Sequence, residues 1–195
     1  MSSSSVDSSD PLPAAIFRFL ELGEVNIAPA ALAVTPDGRT LYVAVWGNDV
    51  VLPIDVTTGR AGAPIPMEVP GPAALAMTPD GATLYVACAG RISGGGINLA
   101  NVVIPVDVAT GKPGAFIPAG RNPEALAMTP DGATLYSANA EGSTVTPIDT
   151  ATGRPGTAIR KGINGPDALA VSPDGRTLYV ASQPANTVTP VALPG

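Results

Sequence analysis

Four copies of one motif run through this sequence. The segments TPDGRTLYVA, TPDGATLYVA, TPDGATLYSA and SPDGRTLYVA recur at steps of 43, 51 and 43 residues, starting at Thr35, Thr78, Thr129 and Ser172. Each of the 4 tyrosines lies five residues after the Asp of a Pro-Asp-Gly triplet. A period in the forties with strand-like units is typical of propeller blades. The sequence therefore predicts an all-β fold: a β-propeller array of four four-stranded blades, as a partial or a small propeller.

Each repeat reads as four strands separated by turn signals. A proline and an Ala-Leu-Ala run predict an innermost strand buried on both faces, and Pro-Asp-Gly then makes a turn into Thr-Leu-Tyr. A third strand ends in Asp before Thr-Gly, and an outer segment follows. The predicted divisions are a disordered Ser-rich tail (1–13), an N-terminal segment (14–28), blade 1 (29–71), blade 2 (72–122) with a surface loop inserted at 90–98, blade 3 (123–165) and an incomplete blade 4 (166–195).

The fourth repeat contains three predicted strands, and no segment for an outer strand follows its third strand. Residues Ala15–Glu21 (AIFRFLE) precede blade 1 where the repeat phase places an outer strand, so this segment is predicted to supply it. The alternative is a short helix, with Asp10 as N-cap, Pro11 in the first turn and Gly23 as the stop.

Composition excludes several function classes. A net charge of −6 and scattered basic residues argue against nucleic acid as a partner. With no histidine, the chain can form neither a Ser-His-Asp triad nor a His-ligated metal site. The single cysteine, Cys88, forms no internal disulfide and is expected to be a buried, inert thiol. No apolar run is long enough to span a membrane, and the N-terminus does not read as a signal peptide.

The repeat resembles the YVTN family of β-propellers over roughly residues 28–195. Its units match the pattern xPxxxAxSPDGxxLYVxN followed by VxVIDxxTG, and the nearest copy of the naming tetrapeptide is Tyr136–Asn139. The other repeats carry Val45, Cys88 and Ser182 at the Asn position.

The resemblance implies a frame shared with lactonase-like and cytochrome-associated propellers, which usually close with about seven blades. With four blades, the chain is expected to be one of three things: a truncated array, a small ring of four, or half of a ring completed by self-association. As written, the chain is expected in the cytoplasm, or outside it if this is an N-terminally truncated family member.

Repeated and unrepeated residues are expected to have different roles. The triplet aspartates and the third-strand aspartates recur in register, so we assign them to turns, and the tyrosines to packing between blades. Loops entering the first strand and loops joining the second strand to the third lie at one end of each blade. Side chains there vary between repeats, and the predicted ligand-binding residues around a channel mouth are Trp46, Arg121, Asn122, Glu124, Asn164 and Asp167.

Each candidate has a functional and a structural interpretation. Glu124 and Asp167 share one register and are either a cation-binding or acid/base pair, or solvated loop acids. Arg121 either clamps an anionic ligand or pairs with Glu124. Trp46 is either a stacking platform or packs against the neighbouring loop. The Gly94–Gly96 run lacks the following Lys-Ser/Thr, so it is not a phosphate loop.

The sequence favours two hypotheses about function, from different classes. The first is a non-catalytic binding or scaffolding module for a small polar ligand or a protein. The alternative is a lactonase-like hydrolase that uses carboxylates and a divalent cation. No other cofactor is identifiable from the sequence, and no catalytic residue is assigned.

Overall fold

The structure is a computed structural model that describes residues 28–93, 96–98 and 100–194. Every regular element in these residues is a β-strand, and the main sheets are antiparallel and follow one another along the chain as blades. The predicted tail at 1–13 and the segment Ala15–Glu21 lie outside the described residues.

The strands follow the repeat closely, although the outer strands are short. Blade 1 consists of β1 (Pro29–Val34), β2 (Thr40–Val45), β3 (Val50–Asp55) and β4 (Ile65–Pro66). Blade 2 consists of β5 (Pro72–Met77), β6 (Thr83–Cys88), β9 (Val102–Asp107), β10 (Lys112–Pro113) and β11 (Ile117–Pro118). Blade 3 consists of β12 (Pro123–Met128), β13 (Thr134–Asn139), β14 (Thr144–Asp149) and β15 (Arg154–Pro155). Blade 4 consists of β16 (Ala168–Val171), β17 (Thr177–Ser182) and β18 (Thr187–Ala192).

The insertion in blade 2 is more regular than the surface loop that its glycines predict. Its backbone forms two short antiparallel strands, β7 (Arg91–Ser93) and β8 (Gly96–Asn98), which pair only with each other. The insertion is therefore a separate hairpin appended to blade 2.

The Pro-Asp-Gly turn is held by one threonine and one aspartate. In blade 1, Thr35 Oγ1 donates to Asp37 Oδ1 at 2.6 Å and accepts from the Thr40 amide at 3.0 Å. The same carboxylate accepts from the Arg39 amide at 3.0 Å, and Gly38 takes a φ of 72°. A left-handed residue at this point favours glycine, so the triplet aspartates are turn residues, as predicted.

A second carboxylate clamp closes the turn after the third strand. Asp55 Oδ1 accepts from the amide of Thr58 at 2.6 Å and from its hydroxyl at 2.7 Å. Blades 2 and 3 repeat both bonds between Asp107 and Thr110 and between Asp149 and Thr152. These aspartates are also structural, as their recurrence predicts.

Neighbouring blades pack face to face. The face of one blade presents alanines, a tyrosine and a valine, and the facing blade presents larger aliphatic side chains. Between blades 2 and 3, for example, Tyr85 and Val103 pack in one cluster with Leu135 and Ile148. Two further clusters repeat this arrangement between blades 1 and 2 and between blades 3 and 4. Burial of these faces is the main source of stability.

The array is an open arc in which blade 4 does not pack on blade 1. Tyr179 is 45% exposed, whereas its counterparts Tyr42, Tyr85 and Tyr136 are at most 5% exposed. The prediction that every tyrosine packs between blades is therefore wrong for Tyr179, because no described blade follows blade 4. The prediction that the innermost strands are buried on both faces holds only for β5. The strands β1 and β16 at the two ends of the described array are partly exposed, and most of β12 is only half-buried.

We predict that the turn aspartates make stability fall in acid. Hydrogen bonds from the preceding threonine or serine, then from a backbone amide, lower the pKa of Asp37, Asp80, Asp131 and Asp174 below 3.8. A depressed folded-state pKa contributes stability that is present above the unfolded value and lost as pH falls through the folded value. Urea unfolding from about pH 5 to about pH 3 is expected to show this loss. The loss of stability in acid is expected to be smaller in a variant in which all four of these aspartates are replaced by Asn. Equal losses in the parent and the variant would contradict the role assigned to these aspartates.

A second prediction concerns Cys88, which is fully buried between blades 1 and 2. Burial, with a smaller effect of the Asp49 charge, raises the pKa of this thiol to about 12. The reactive thiolate is therefore scarce at neutral pH. We expect a thiol reagent to label Cys88 only as fast as the chain unfolds, measured as labelling rate against urea concentration. Rapid labelling of the native protein would contradict a closed interface between blades 1 and 2.

Candidate ligand rim

The entry loops and the second-to-third strand loops meet at one end of the array, as the repeat predicts. Backbone hydrogen bonds join the two kinds of loop: the Trp46 amide to the Ala28 carbonyl at 2.8 Å, and the Ala140 amide to the Asn122 carbonyl at 2.9 Å. We call this surface the rim. Because the array is open, the rim follows an arc, and no channel mouth is enclosed by the described blades.

The rim of blade 3 carries a small polar cluster. Arg121 Nη2 lies 3.0 Å from Glu141 Oε2, and both side chains are largely exposed. The expected ion pair between Arg121 and Glu124 is therefore wrong. Glu124 instead accepts a hydrogen bond from Asn122 Nδ2 at 2.6 Å. The short connection between Asn122 and Glu124, which lie two residues apart, accounts for this choice.

The rim of blade 4 holds the other predicted polar residues. Asn164 Oδ1 accepts from the Ser143 hydroxyl at 3.4 Å, which links blade 4 to blade 3. Asp167 Oδ2 accepts from the Gln183 amide at 2.9 Å. Glu124 and Asp167 thus each have a partner in the loops beside them, and they do not bond to each other. Among the described residues, no group of three or more Cys, Asp and Glu side chains has the arrangement of a metal site.

Trp46 lies against the entry loop of blade 2. A Cβ atom on Gly71 would come within 3.0 Å of Trp46 Nε1 and within 2.4 Å of the Gly90 carbonyl oxygen. Gly71 is thus required by close packing as well as by its φ of 76°. Trp46 is 36% exposed, so part of the indole packs on the neighbouring loop and part faces solvent.

A buried asparagine locks the rim end of blade 3. The Asn139 side-chain amide donates to Thr144 Oγ1 at 3.0 Å and Thr146 Oγ1 at 2.9 Å. Its carbonyl accepts from the Ser137 hydroxyl and the Gly120 amide, both at 3.1 Å. Asn139 is fully buried and fully bonded, so it is a structural clamp and is not available to a ligand.

Blade 4 has Ser182 where blade 3 has Asn139. The Ser182 hydroxyl is buried and is the only buried side-chain polar atom in the described residues that makes no hydrogen bond. The larger Ile163 stands where blade 3 has Gly120, and a Cβ on Gly120 would come within 2.6 Å of Asn139. The space that the Asn side chain needs is therefore taken in blade 4.

A concavity on the rim lies at blade 4. An open groove of about 240 Å³ is lined by Asp167, Ala181, Ser182, Gln183, Asn186, Thr187 and Val188. Of the six predicted site residues, only Asp167 lines it. The other five lie along the rim of blades 1 to 4, outside this groove.

Sequence reasoning missed Asn186, although a signal for it exists. Every blade has a polar residue just before its third strand: Asp49, Asn101, Ser143 and Asn186. All four take a positive φ, between 48° and 57°. In blades 1 to 3 this side chain accepts a hydrogen bond from the amide just before the next blade's first proline. The bonds run from the Gly71 amide to Asp49 Oδ1 at 2.9 Å, from the Asn122 amide to Asn101 Oδ1 at 2.9 Å, and from the Gly165 amide to Ser143 Oγ at 3.2 Å.

Solved structures with similar folds are β-propeller proteins, which confirms the predicted fold class. A chain from Kuenenia stuttgartiensis hydrazine synthase superposes with a TM-score of 0.76 at 26% identity, over 88% of this chain and 49% of that chain. A functionally unknown protein from Desulfotomaculum acetoxidans superposes with a TM-score of 0.67 at 21% identity, over 84% of this chain and 55% of that chain.

A chain of the mitotic checkpoint complex gives a TM-score of 0.72 at 18% identity, over 86% of this chain and 49% of that one. The chain thus spans about half the length of the solved chains it matches. No protein-family model and no curated protein matches the sequence. In the described residues, no helix has the length and apolar character to cross a membrane.

We predict that Asn139 and Ser182 contribute very differently to stability. The change Asn139→Ala leaves three buried hydroxyls, those of Ser137, Thr144 and Thr146, and the Gly120 amide without their partner. This loss costs about 2–4 kcal/mol of unfolding free energy. The matched change Ser182→Ala removes only an unbonded hydroxyl and is expected to alter stability by less than about 0.5 kcal/mol. Urea denaturation of both variants measures the difference. Similar losses in the two variants would contradict the clamp.

Proposed function

We propose that the array is a non-catalytic binding or scaffolding module of the YVTN type, with the rim as its binding surface. The observation that carries this proposal is the separation of repeated from unrepeated side chains. Residues that recur in every blade form turns and blade contacts, whereas Arg121, Glu124 and Asn164 break the repeat on an exposed rim. Variable polar side chains on a rigid frame are the usual construction of a binding surface.

The chemistry of the rim favours a ligand rich in hydrogen-bond donors. Glu124, Glu141 and Asp167 supply carboxylate oxygens, while Asn122 and Asn164 supply amides, and the chain carries a net charge of −6. A cation, a hydroxylated small molecule or a lysine-bearing protein segment fits this set. The half-exposed indole of Trp46 adds an apolar surface at the blade 1 end.

The similar folds support a protein as one such partner. One of them belongs to a structure of a mitotic checkpoint complex, which is a protein assembly. That likeness concerns the fold alone, so it supports the use of this frame as a platform and does not name the partner of this chain.

The alternative is a lactonase-like hydrolase that uses Glu124 and Asp167 with a divalent cation. The shared register of these two carboxylates favours it, because the same position lies in adjacent blades. The two proposals differ in one measurable respect. The hydrolase requires turnover of a lactone, and the binding module does not.

We predict that ligand binding maps to the rim. In amide NMR spectra, calcium chloride, gluconate and a lysine–serine peptide are titrated separately into the protein, and δ-gluconolactone hydrolysis is followed in parallel. At least one probe is expected to shift the amide resonances of residues next to Glu124, Asn164 and Asp167, while the resonances of the Pro-Asp-Gly turns stay unchanged. Hydrolysis above the buffer rate would instead support the alternative.

Two double variants separate charge from shape. Glu124→Ala with Asp167→Ala restores the residue that blades 1 and 2 carry at this position, so we expect normal folding and loss of the shifts. Glu124→Gln with Asp167→Asn keeps hydrogen-bonding side chains and is expected to abolish cation binding alone. Shifts confined to the turn face, or shifts that persist in the Ala variant, would contradict the rim as the site.

A further inference from the structure

We propose that Asn164 and Gly165 form a self-modification site, at which the Ser143 hydroxyl promotes loss of the Asn164 side-chain amide as ammonia. The Gly165 nitrogen attacks the side-chain carbonyl carbon of Asn164, and water then opens the resulting cyclic imide to aspartate or isoaspartate. The inference goes beyond the proposed binding function and does not depend on it, because the reaction needs only water and the residues of the two loops.

The sequence contains a single Asn-Gly pair, and it lies in the loop that enters blade 4. Glycine has no side chain to obstruct its backbone nitrogen, so this attack meets the least steric hindrance when glycine follows the asparagine. Gly165 takes a φ of 61°, and a Cβ atom on it would come within 3.1 Å of Pro184 Cγ. The turn into blade 4 therefore requires the same glycine that makes Asn164 reactive.

One hydroxyl contacts both reacting groups. Ser143 Oγ accepts a hydrogen bond from the Gly165 amide at 3.2 Å and donates one to Asn164 Oδ1 at 3.4 Å. The attacking nitrogen and the oxygen of the attacked carbonyl are thus held by the same group. A hydroxyl donates one proton and accepts others, so Ser143 can take the proton of the nitrogen while it gives its own proton to the oxygen.

This proton relay leaves the serine unchanged. As the Gly165 nitrogen bonds to Cγ of Asn164, its proton passes to Ser143 Oγ and the hydroxyl proton passes to Oδ1. The proton on Oδ1 then moves to Nδ2, the Cγ–Nδ2 bond breaks and ammonia leaves. Water adds to either carbonyl of the imide and opens the ring, and no atom is oxidised or reduced.

The surroundings of the pair combine fixed geometry with access to water. The side chain of Asn164 is exposed, whereas Ile163 and Pro166 on either side of the pair are buried. The two buried neighbours anchor the loop, and the bonds to Ser143 fix the reacting groups between them. Holding reacting groups in place lowers the entropic part of the barrier, while the exposed side admits the water that opens the ring.

The four Pro-Asp-Gly turns contain a related pair that the structure protects. Their glycine amides donate to backbone carbonyls at 2.8–2.9 Å, and a carbonyl has no proton to pass on. Hydrogen bonds from a threonine or serine hydroxyl, then from a backbone amide, lower the pKa of Asp37, Asp80, Asp131 and Asp174. These carboxyl groups therefore stay ionised at neutral pH, and an ionised carboxylate is a poor electrophile.

The product changes the rim between blades 3 and 4. A carboxylate at position 164 adds one negative charge to a chain whose net charge is already −6. Isoaspartate also adds one carbon atom to the backbone of the entry loop, which moves the Gly165 amide relative to Ser143. The modification therefore alters both the charge of the rim and the bond that joins the two blades there.

Peptide mass spectrometry of the full chain tests the proposal. The folded protein is incubated at mildly alkaline pH, and trypsin cleavage after Lys161 and Arg176 gives one peptide that contains both Asn164 and Asp174. We expect a gain of one mass unit and isoaspartate at position 164, while Asp174 stays unmodified. The folded protein is expected to react at Asn164 at least as fast as the chain unfolded in guanidinium chloride.

Two variants remove the hydroxyl and are expected to keep the parent's circular dichroism. In Ser143→Asn, the new side chain can accept from the Gly165 amide as Asn101 accepts from Asn122, and Ser143→Gly suits the φ of 48°. In both folded variants the rate at Asn164 is expected to fall at least about threefold, a small part of what positioned acid–base groups contribute. In guanidinium chloride, the parent and the variants are expected to react equally.

Asn186→Gly is the matched control, because Asn186 holds the position of Ser143 in blade 4 with a similar φ of 52°. This variant is expected to react at Asn164 as the parent does, and an equal slowing in it overturns the proposal. A folded parent that reacts more slowly than the unfolded chain also overturns it, as does an equal or faster reaction in either folded Ser143 variant. Isoaspartate at Asp174 that forms as fast as at position 164 assigns the reaction to glycine alone, with the same consequence.

Discussion

The fold depends on one packing arrangement, in which a face of small side chains lies on a face of large ones. Alanines on the innermost strand let two blades approach closely, and a tyrosine on the second strand fills the wider space further out. The facing blade supplies Leu, Val and Ile. With aromatics at 4% of the chain, interlocking of aliphatic side chains provides almost all of this contact. Because each blade has one face of each kind, the arrangement can repeat from blade to blade.

The sequence was sufficient to predict the fold because the information is repeated four times in phase. Proline, Pro-Asp-Gly and Asp-x-x-Thr-Gly specify turns through local hydrogen bonds, which depend on few distant contacts. The predictions failed where the distant environment differs between repeats. Tyr179 has the same local sequence as Tyr85, yet its exposure is set by the absence of a described blade beside it. The hairpin at β7 and β8 has no counterpart in the other repeats.

The site was harder to predict because the hydrogen-bond partners of loop side chains depend on loop geometry, which the repeat does not encode. Arg121 reaches Glu141 across two loops, whereas Glu124 is held by Asn122 two residues away. Charge alone would have paired Arg121 with the nearer acid in sequence. Asn186 shows the opposite case. Its role could have been read from register, since a polar residue precedes the third strand in every blade, but only the structure shows that its counterparts bond to the next blade.

The rim and the blade junctions are connected through these same residues. Ser143 accepts from Gly165 and donates to Asn164, so one hydroxyl both joins two blades and orients a rim side chain. Asn122 combines the two roles as well, because its amide bonds to Asn101 while its side chain holds Glu124. A change that opens a junction therefore also displaces the rim groups beside it. The rim of blade 4 differs, because Asp167 and Asn186 there line an open groove and are joined to no further described blade.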